Sequence, residues 1–469
     1  MKKIILCFLL LFYFYNLHAQ NCNCSDNFRY LTNRIIKNYV GYAYKVTQKN
    51  EQQFQKFTDS LQKVADSADA YKCLNLGREW IGFFKDKHIS FGMDFQKLNP
   101  DSVRHFFSME EKTSWTENEF KSYLTQNKEI LDSIEGIWSY GIYEIGIVKD
   151  TQPNQFIGFI LKADSIRWMP QQIKFRLTKN GKQYQTIYFS GGDHSEQHPL
   201  LSKNGDNLNF GIFGKWVKAP MIKRKIAQPL ITSDAPSFRV IDSTTSVLKF
   251  PSFSAKYKSQ IDSLILRNKT QLDNTNHLII DVRDNSGGST KSFEKLLPYL
   301  YTNPIKVDGG IVLATEDNIR DCYAIEYPYI SEESKLEMKN DVKKLRAHIG
   351  EHYQLYDEET IKFPKVLKHP SRISILINEV TASSAELFIL RAEQSKKVVL
   401  YGKNTSGAVD YGEIVSINLP CKFYSLNYPA SKSLHSIKRP LDNIGINPQV
   451  RIPDDITDWV EFVRTYTLK

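Results

Sequence analysis

Cysteine is scarce, with six in 469 residues, so no dense disulfide framework organises this chain. Cys22-Asn23-Cys24 is also too tight a spacer to begin a zinc site on its own. Past the first fifteen residues no run is apolar enough to cross a bilayer. There is no low-complexity tract and no internal repeat, and no P-loop, dinucleotide fingerprint or HExxH helix. Nucleotide-phosphate chemistry, dinucleotide redox chemistry and a helix-borne catalytic zinc are therefore not indicated, and neither a metal nor an organic cofactor is expected. The formal charge is +10, but the basic residues are scattered and no nucleic-acid-binding motif accompanies them. The positive balance reads as a surface property rather than a nucleic-acid interface.

What is present is an ordinary globular composition, 41% hydrophobic and 24% charged. A chain of this length exceeds one core, so several domains are expected. Lys2-Lys3 precede an apolar run over residues 4–15, and Leu17-His18-Ala19 offers a small residue for cleavage. This is the pattern of a secretory signal peptide cut after Ala19. Cys22 follows the cut by too much for lipidation. An exported protein results, periplasmic or extracellular, with no stable membrane span. Cleavage leaves five cysteines, an odd number, so at least one is free or pairs between chains. A bridge from one of Cys22 and Cys24 to Cys73 fits the spacing.

Four segments follow: a signal peptide (1–19), an N-terminal helical region (20–133), an antiparallel β module (134–225) and a C-terminal α/β core (226–469). Phe28, Leu31, Ile35, Tyr39 and Tyr42 recur at helical steps. Thr116-x-x-Glu119 is a capping box that predicts a helix to about residue 133. Asn180-Gly181, between two alternating runs, predicts a hairpin. Residues 219–236 read as a linker. His194 and His198, with Asp193 and Glu196, read as a hydrated loop rather than a zinc site.

Two strand-turn stretches carry the chemistry. Residues 278–288 read Leu-Ile-Ile-Asp-Val-Arg-Asp-Asn-Ser-Gly-Gly. Residues 373–386 run through Asn378-Glu379 and Thr381-Ala382-Ser383-Ser384 into a helix. A serine on a strand-to-helix turn sits where unpaired N–H groups and the helix dipole favour an oxyanion. Paired glycines let a backbone approach a ligand closely. Together the stretches resemble the tail-specific (C-terminal processing) and tricorn-core serine peptidases, which have an Asp-x-Arg-x-Asn-x-Gly-Gly turn and an Asn-Glu-x-Thr-Ala-Ser-x-x-Glu nucleophile turn. The resemblance covers roughly residues 238–453 and implies a crotonase-like α/β core. The tail-specific branch uses a lysine where this chain has Ala408. The tricorn-core branch instead uses a histidine after an N-terminal helix and an acid before Asn-x-Gly-x-x-Pro. Asp86-Lys87-His88 and Asp442-Asn443-Ile444-Gly445-Ile446-Asn447-Pro448 match those two places, with aspartate for the branch's glutamate.

The resemblance thus implies Ser383 as nucleophile, His88 as general base, Asp442 as the acid, and an oxyanion hole from the N–H groups of Ser384 and of Gly287 or Gly288. Asp281, Arg283 and Asn285 would fix the Gly-Gly turn, and Glu386 would cap the nucleophile helix. The implied function is a secreted serine endopeptidase acting through an acyl-enzyme on peptides or unfolded protein tails. Two other readings stay open. One is a non-catalytic peptide- or lipid-binding protein on the same fold. The other is an adhesin built around the β module. No PDZ-type carboxylate-binding loop occurs in that module.

Overall fold

A computed structural model describes residues 22–181, 183–199, 201–219, 235–325, 332–453 and 456–466. The signal peptide (1–19) and nearly all of the expected linker (219–236) lie outside the described residues. The front of the chain folds as the helices Cys24–Asn38, Tyr42–Lys45, Glu51–Ala65 and Ala70–Gly82. Each long helix turns a row of apolar residues inward: Phe28, Leu31 and Ile35 on the first, and Leu74, Trp80 and Ile81 on the last. Asn23 and Asp69 cap the two helices by accepting backbone N–H groups.

These helices share one hydrophobic core with strands from late in the chain. Phe28, Trp80 and Phe84 are buried in the same cluster as Val312, Tyr411, Leu426 and Tyr428. The strand Ser90–Met93 pairs with Tyr424–Ser433, so residues about 335 apart in sequence lie opposite each other, Phe91 against Leu426. The disulfide Cys22–Cys421 pins the same contact, Cys24–Cys73 joins the first and last of these helices, and Cys322 is free. Arg34, almost fully buried, reaches Asp317, Asp321 and the Tyr428 hydroxyl.

The capping box forms, with Thr116 and Glu119 exchanging bonds, but its helix, Glu117–Gln126, ends short of residue 133. Asn127 bonds back to the Tyr123 carbonyl and stops it. The β module is a nine-stranded antiparallel sheet from Gly136–Tyr140 to Lys215–Lys218. Its hairpin Ile173–Asn180/Gln183–Phe189 turns at the Asn-Gly pair, where Gly181 has φ +62°. Trp138, Phe175, Phe210 and Trp216 fill its inner face.

The C-terminal core is a six-stranded sheet in which Thr245–Lys249, His277–Asp281, Arg372–Ile377, Val398–Gly402 and Val450–Arg451 run parallel. Leu278, Ile280, Ile373, Ile375 and Ile377 are fully buried, as strands covered on both faces require. His277–Asp281 and Arg372–Ile377 are direct neighbours, Asp281 opposite Leu376. The turns leaving their carboxyl ends must therefore lie side by side, the usual place for a site in a parallel sheet.

Candidate active site

Those two turns are locked together. Asn285 donates to the Phe250 carbonyl and accepts the N–H of Gly287, while its own carbonyl accepts from Ala382. Asn378 and Asp284 exchange two bonds, Nδ2 to Oδ1 at 2.8 Å and backbone N to Oδ1 at 3.0 Å. Thr381 Oγ1 donates to the Val282 carbonyl. Asp281 grips Arg283 through two bonds of 2.7–2.8 Å, and the guanidinium stacks on Trp459. These residues hold the turns rather than face a reacting group.

The approach of the turns is close. A Cβ on Gly287 would lie 2.8 Å from Ser383 Cβ and 3.0 Å from the Ser384 nitrogen. Only glycine fits, and its φ of +105° is one that other residues rarely adopt. Ser383 itself stands at φ 55°, ψ −124°, immediately before the helix Ser384–Ala392. The Ser384 N–H begins that helix and has no carbonyl of the preceding turn to bind. Of the two glycines, Gly287 donates its N–H to Asn285 Oδ1, whereas no bond from the Gly288 N–H occurs among the described residues. Gly288 itself packs against the backbone of Phe253 and Ser254.

Glu386 is wholly buried and does more than cap. Its carboxylate accepts from the Ser383 N–H, the Thr405 hydroxyl and the N–H groups of Gly407 and Ala408. Four donors satisfy a buried charge that would otherwise be costly. Ala408, at the place of the tail-specific lysine, is thus a buried backbone anchor. Lys403 pairs with Glu379.

His88 follows the helix Ala70–Gly82 and precedes the strand Ser90–Met93. Its loop is stitched to the nucleophile turn. Lys87 donates to the carbonyl and hydroxyl of Ser406, Ser406 donates to the Thr381 carbonyl, and Asn443 donates to the Lys85 carbonyl. No hydrogen bond joins Ser383 Oγ to the His88 ring among the described residues. The carboxylate beside the ring is Asp86, with Oδ1 3.8 Å from His88 Nδ1. Asp86 also accepts the His88 backbone N–H at 2.8 Å and the Tyr39 hydroxyl at 2.8 Å. Its side chain is 1% exposed, that of His88 16%.

Asp442 is directed elsewhere. It forms an ion pair with Lys45, and no bond links it to His88 among the described residues. Burial pushes its carboxyl above the usual range, Lys45 opposes this, and Asp86 and Asp410 add to it. Sequence reasoning had noted Asp86 only as part of the motif. Its position two residues before the histidine was the available signal. Asp410, His435 and Asp308 were missed. His435 Nε2 meets Asp410 at 3.0 Å and Nδ1 meets Asp308 at 2.8 Å. Burial alone would lower His435, but the two carboxylates outweigh it and raise it to about 9. Asp410 then accepts the N–H groups of Leu441 and Asp442 and so fixes the Asp442 turn.

Residues 244–452 match the sequence model of peptidase family S41. That segment is somewhat under half of the chain. A protein of Chlamydia trachomatis serovar D is 22% identical over 215 residues, which are 39% of this chain and 35% of that one. The chain thus spans about a third of the length of that curated relative. Among solved structures, mature CPAF aligns over 92% of this chain and 93% of its own at 14% identity, with a TM-score of 0.47. The photosystem II D1 C-terminal processing protease aligns over 92% and 94% at 11% identity, with a TM-score of 0.41. The tricorn protease aligns over 92% of this chain and 34% of its own at 12% identity, with a TM-score of 0.39. The S41 match begins at residue 244, so His88 lies outside the matched segment.

Proposed function

We propose that the protein is an exported serine endopeptidase that cleaves peptides or unfolded protein tails through an acyl-enzyme. The observation that supports this reading is the close fit of Gly287 against Ser383 and Ser384, which sets the Gly-Gly turn beside the serine turn. Ser383 Oγ attacks the scissile carbonyl carbon and gives its proton to His88 Nε2. The carbonyl π pair moves to oxygen and is held by the N–H groups of Ser384 and Gly288. Collapse breaks the C–N bond, and His88 returns the proton to the leaving amine. Water then repeats the sequence on the ester, with His88 as base again. Serine-to-imidazole contacts are often long before substrate binds, so the missing bond in the free protein fits this sequence.

Asp86 orients His88 through Nδ1, and Tyr39 fixes Asp86. Asp442 acts one step further out, through Lys45 and through its charge on Asp86. Export is supported by the two disulfides, which persist in oxidising compartments. Whether the signal is cut after Ala19 is read by N-terminal sequencing of the secreted or periplasmic protein. For the hydrolase, Ser383→Ala and His88→Ala are each expected to remove peptide hydrolysis with unchanged circular dichroism. Near-normal turnover in either variant refutes the assignment.

A further inference from the structure

A cavity of about 700 Å³ lies between the front helices and the β module. This volume is within the range of sites that hold organic ligands. One wall is the base-bearing loop itself, with Lys85, Asp86, Lys87 and Ser90, joined by Asn443. The opposite wall is the module's segment from Asp193 to Gln197, and the helix Ala70–Gly82 forms the floor. Arg78 ties floor to module through Asp193. The charged lining is three cations (Arg78, Lys85, Lys87) against four carboxylates (Asp86, Glu110, Asp193, Glu196), so neither sign is selected.

His194 is one of the residues that line this cavity. It is not on a hydrated loop, as the sequence suggested. Its side chain is 3% exposed, stacked between Trp168 at 3.6 Å and Phe107 at 4.0 Å. Nδ1 faces Glu110 at 3.5 Å. Nε2 is buried and has no partner among the described residues. Burial lowers the pKa, so the ring is neutral. With the proton on Nδ1 toward the carboxylate, Nε2 is an acceptor and requires an N–H or O–H donor. Phe106, Phe189, Leu74 and Ile81 give the same cavity apolar walls.

We propose that this cavity seats the substrate chain, as an extended, uncharged segment of unfolded polypeptide that carries an apolar side chain. The segment donates a backbone N–H to His194 Nε2, rests its side chain on the aromatic walls, and continues past the His88 loop to Ser383. The β module is then one half of the substrate cleft. This inference rests on the peptidase reading, but binding and cleavage are measured separately.

Gly82 lines the cavity, and a Cβ there meets nothing within 4 Å, so Gly82→Trp sends its side chain off from an open position on the cavity lining. Gly192, on the same module loop but outside the cavity, has equal room. Fluorescein-labelled β-casein serves as the probe. Its binding to Ser383→Ala protein is followed by fluorescence anisotropy. Adding Gly82→Trp is expected to raise Kd at least tenfold, and adding Gly192→Trp to leave it unchanged. Equal Kd for all three proteins, or an equal rise in both tryptophan variants, overturns the proposal. Fluorophosphonate labelling of Gly82→Trp with Ser383 intact is expected to match wild type, because that probe has no chain to lay in the cavity. Loss of labelling in Gly82→Trp alone would mean that the substitution disturbs Ser383 and also overturns the proposal. Failure of wild-type labelling strikes the peptidase reading and leaves the anisotropy result to decide the cleft.

Discussion

Ser383 occupies a backbone conformation that costs a non-glycine residue about 1–3 kcal/mol. Ser383→Gly is expected to be inactive yet more stable than Ser383→Ala by about 1 kcal/mol, as read from denaturant midpoints. Gly287→Ala combines a disallowed φ with a Cβ 2.8 Å from Ser383. It is expected to lower kcat by at least about 100-fold while substrate binding persists. For the carboxylates, Asp86→Asn is expected to reduce kcat more than Asp442→Asn and to shift the acidic limb of the pH–rate profile. Tyr39→Phe should move that limb in the same direction by less. An unchanged limb in Asp86→Asn would return the acid's role to Asp442. At this scale Ser383, the Gly-Gly turn and the Asp-Lys-His sequence were legible, because each is a short run with its own backbone chemistry. The pairing of Asp442 with Lys45 was not, because it joins residues 397 apart.

At the scale of elements, the nucleophile helix is held by Glu386 as well as by its apolar face. Glu386→Ala would leave the Thr405 hydroxyl and the N–H groups of Ser383, Gly407 and Ala408 unpaired in the interior. A loss of at least about 3 kcal/mol is expected, together with activity, whereas Glu386→Gln should retain part of each. Urea titration measures both variants. The parallel strands were readable as unbroken apolar runs, and the module's hairpin from Asn180-Gly181. The end of the helix Glu117–Gln126 was misjudged because a single side-chain bond from Asn127 terminates it. His194 was misjudged because Trp168 and Phe107, which enclose it, arrive from other elements.

For the whole molecule, the front helices and the late strands are one body, tied by Cys22–Cys421, by the Arg34 cluster and by the pairing of Ser90–Met93 with Tyr424–Ser433. That closure links the loop that carries His88 to the turn that carries Ser383, through Lys87, Ser406 and Thr381. Composition and periodicity are local and could not reveal it; only the family resemblance pointed to it. His435 gives the assembly a pH dependence. Its folded pKa, about 9, lies above the ordinary value of 6.5. The stability it contributes is therefore complete below about pH 6.5 and is lost as pH rises through 9, on the order of 3 kcal/mol. Thermal melting is expected to fall over that window in the wild type and to be flatter in His435→Gln.

The central claim is that the hydroxyl of Ser383 is activated by the imidazole of His88. Stoichiometric reaction with a fluorophosphonate, mapped by mass spectrometry, tests it most directly. The adduct is expected on Ser383, forming at least about 100-fold more slowly in His88→Ala. An unlabelled Ser383 in folded protein, or a labelling rate indifferent to His88, would contradict it.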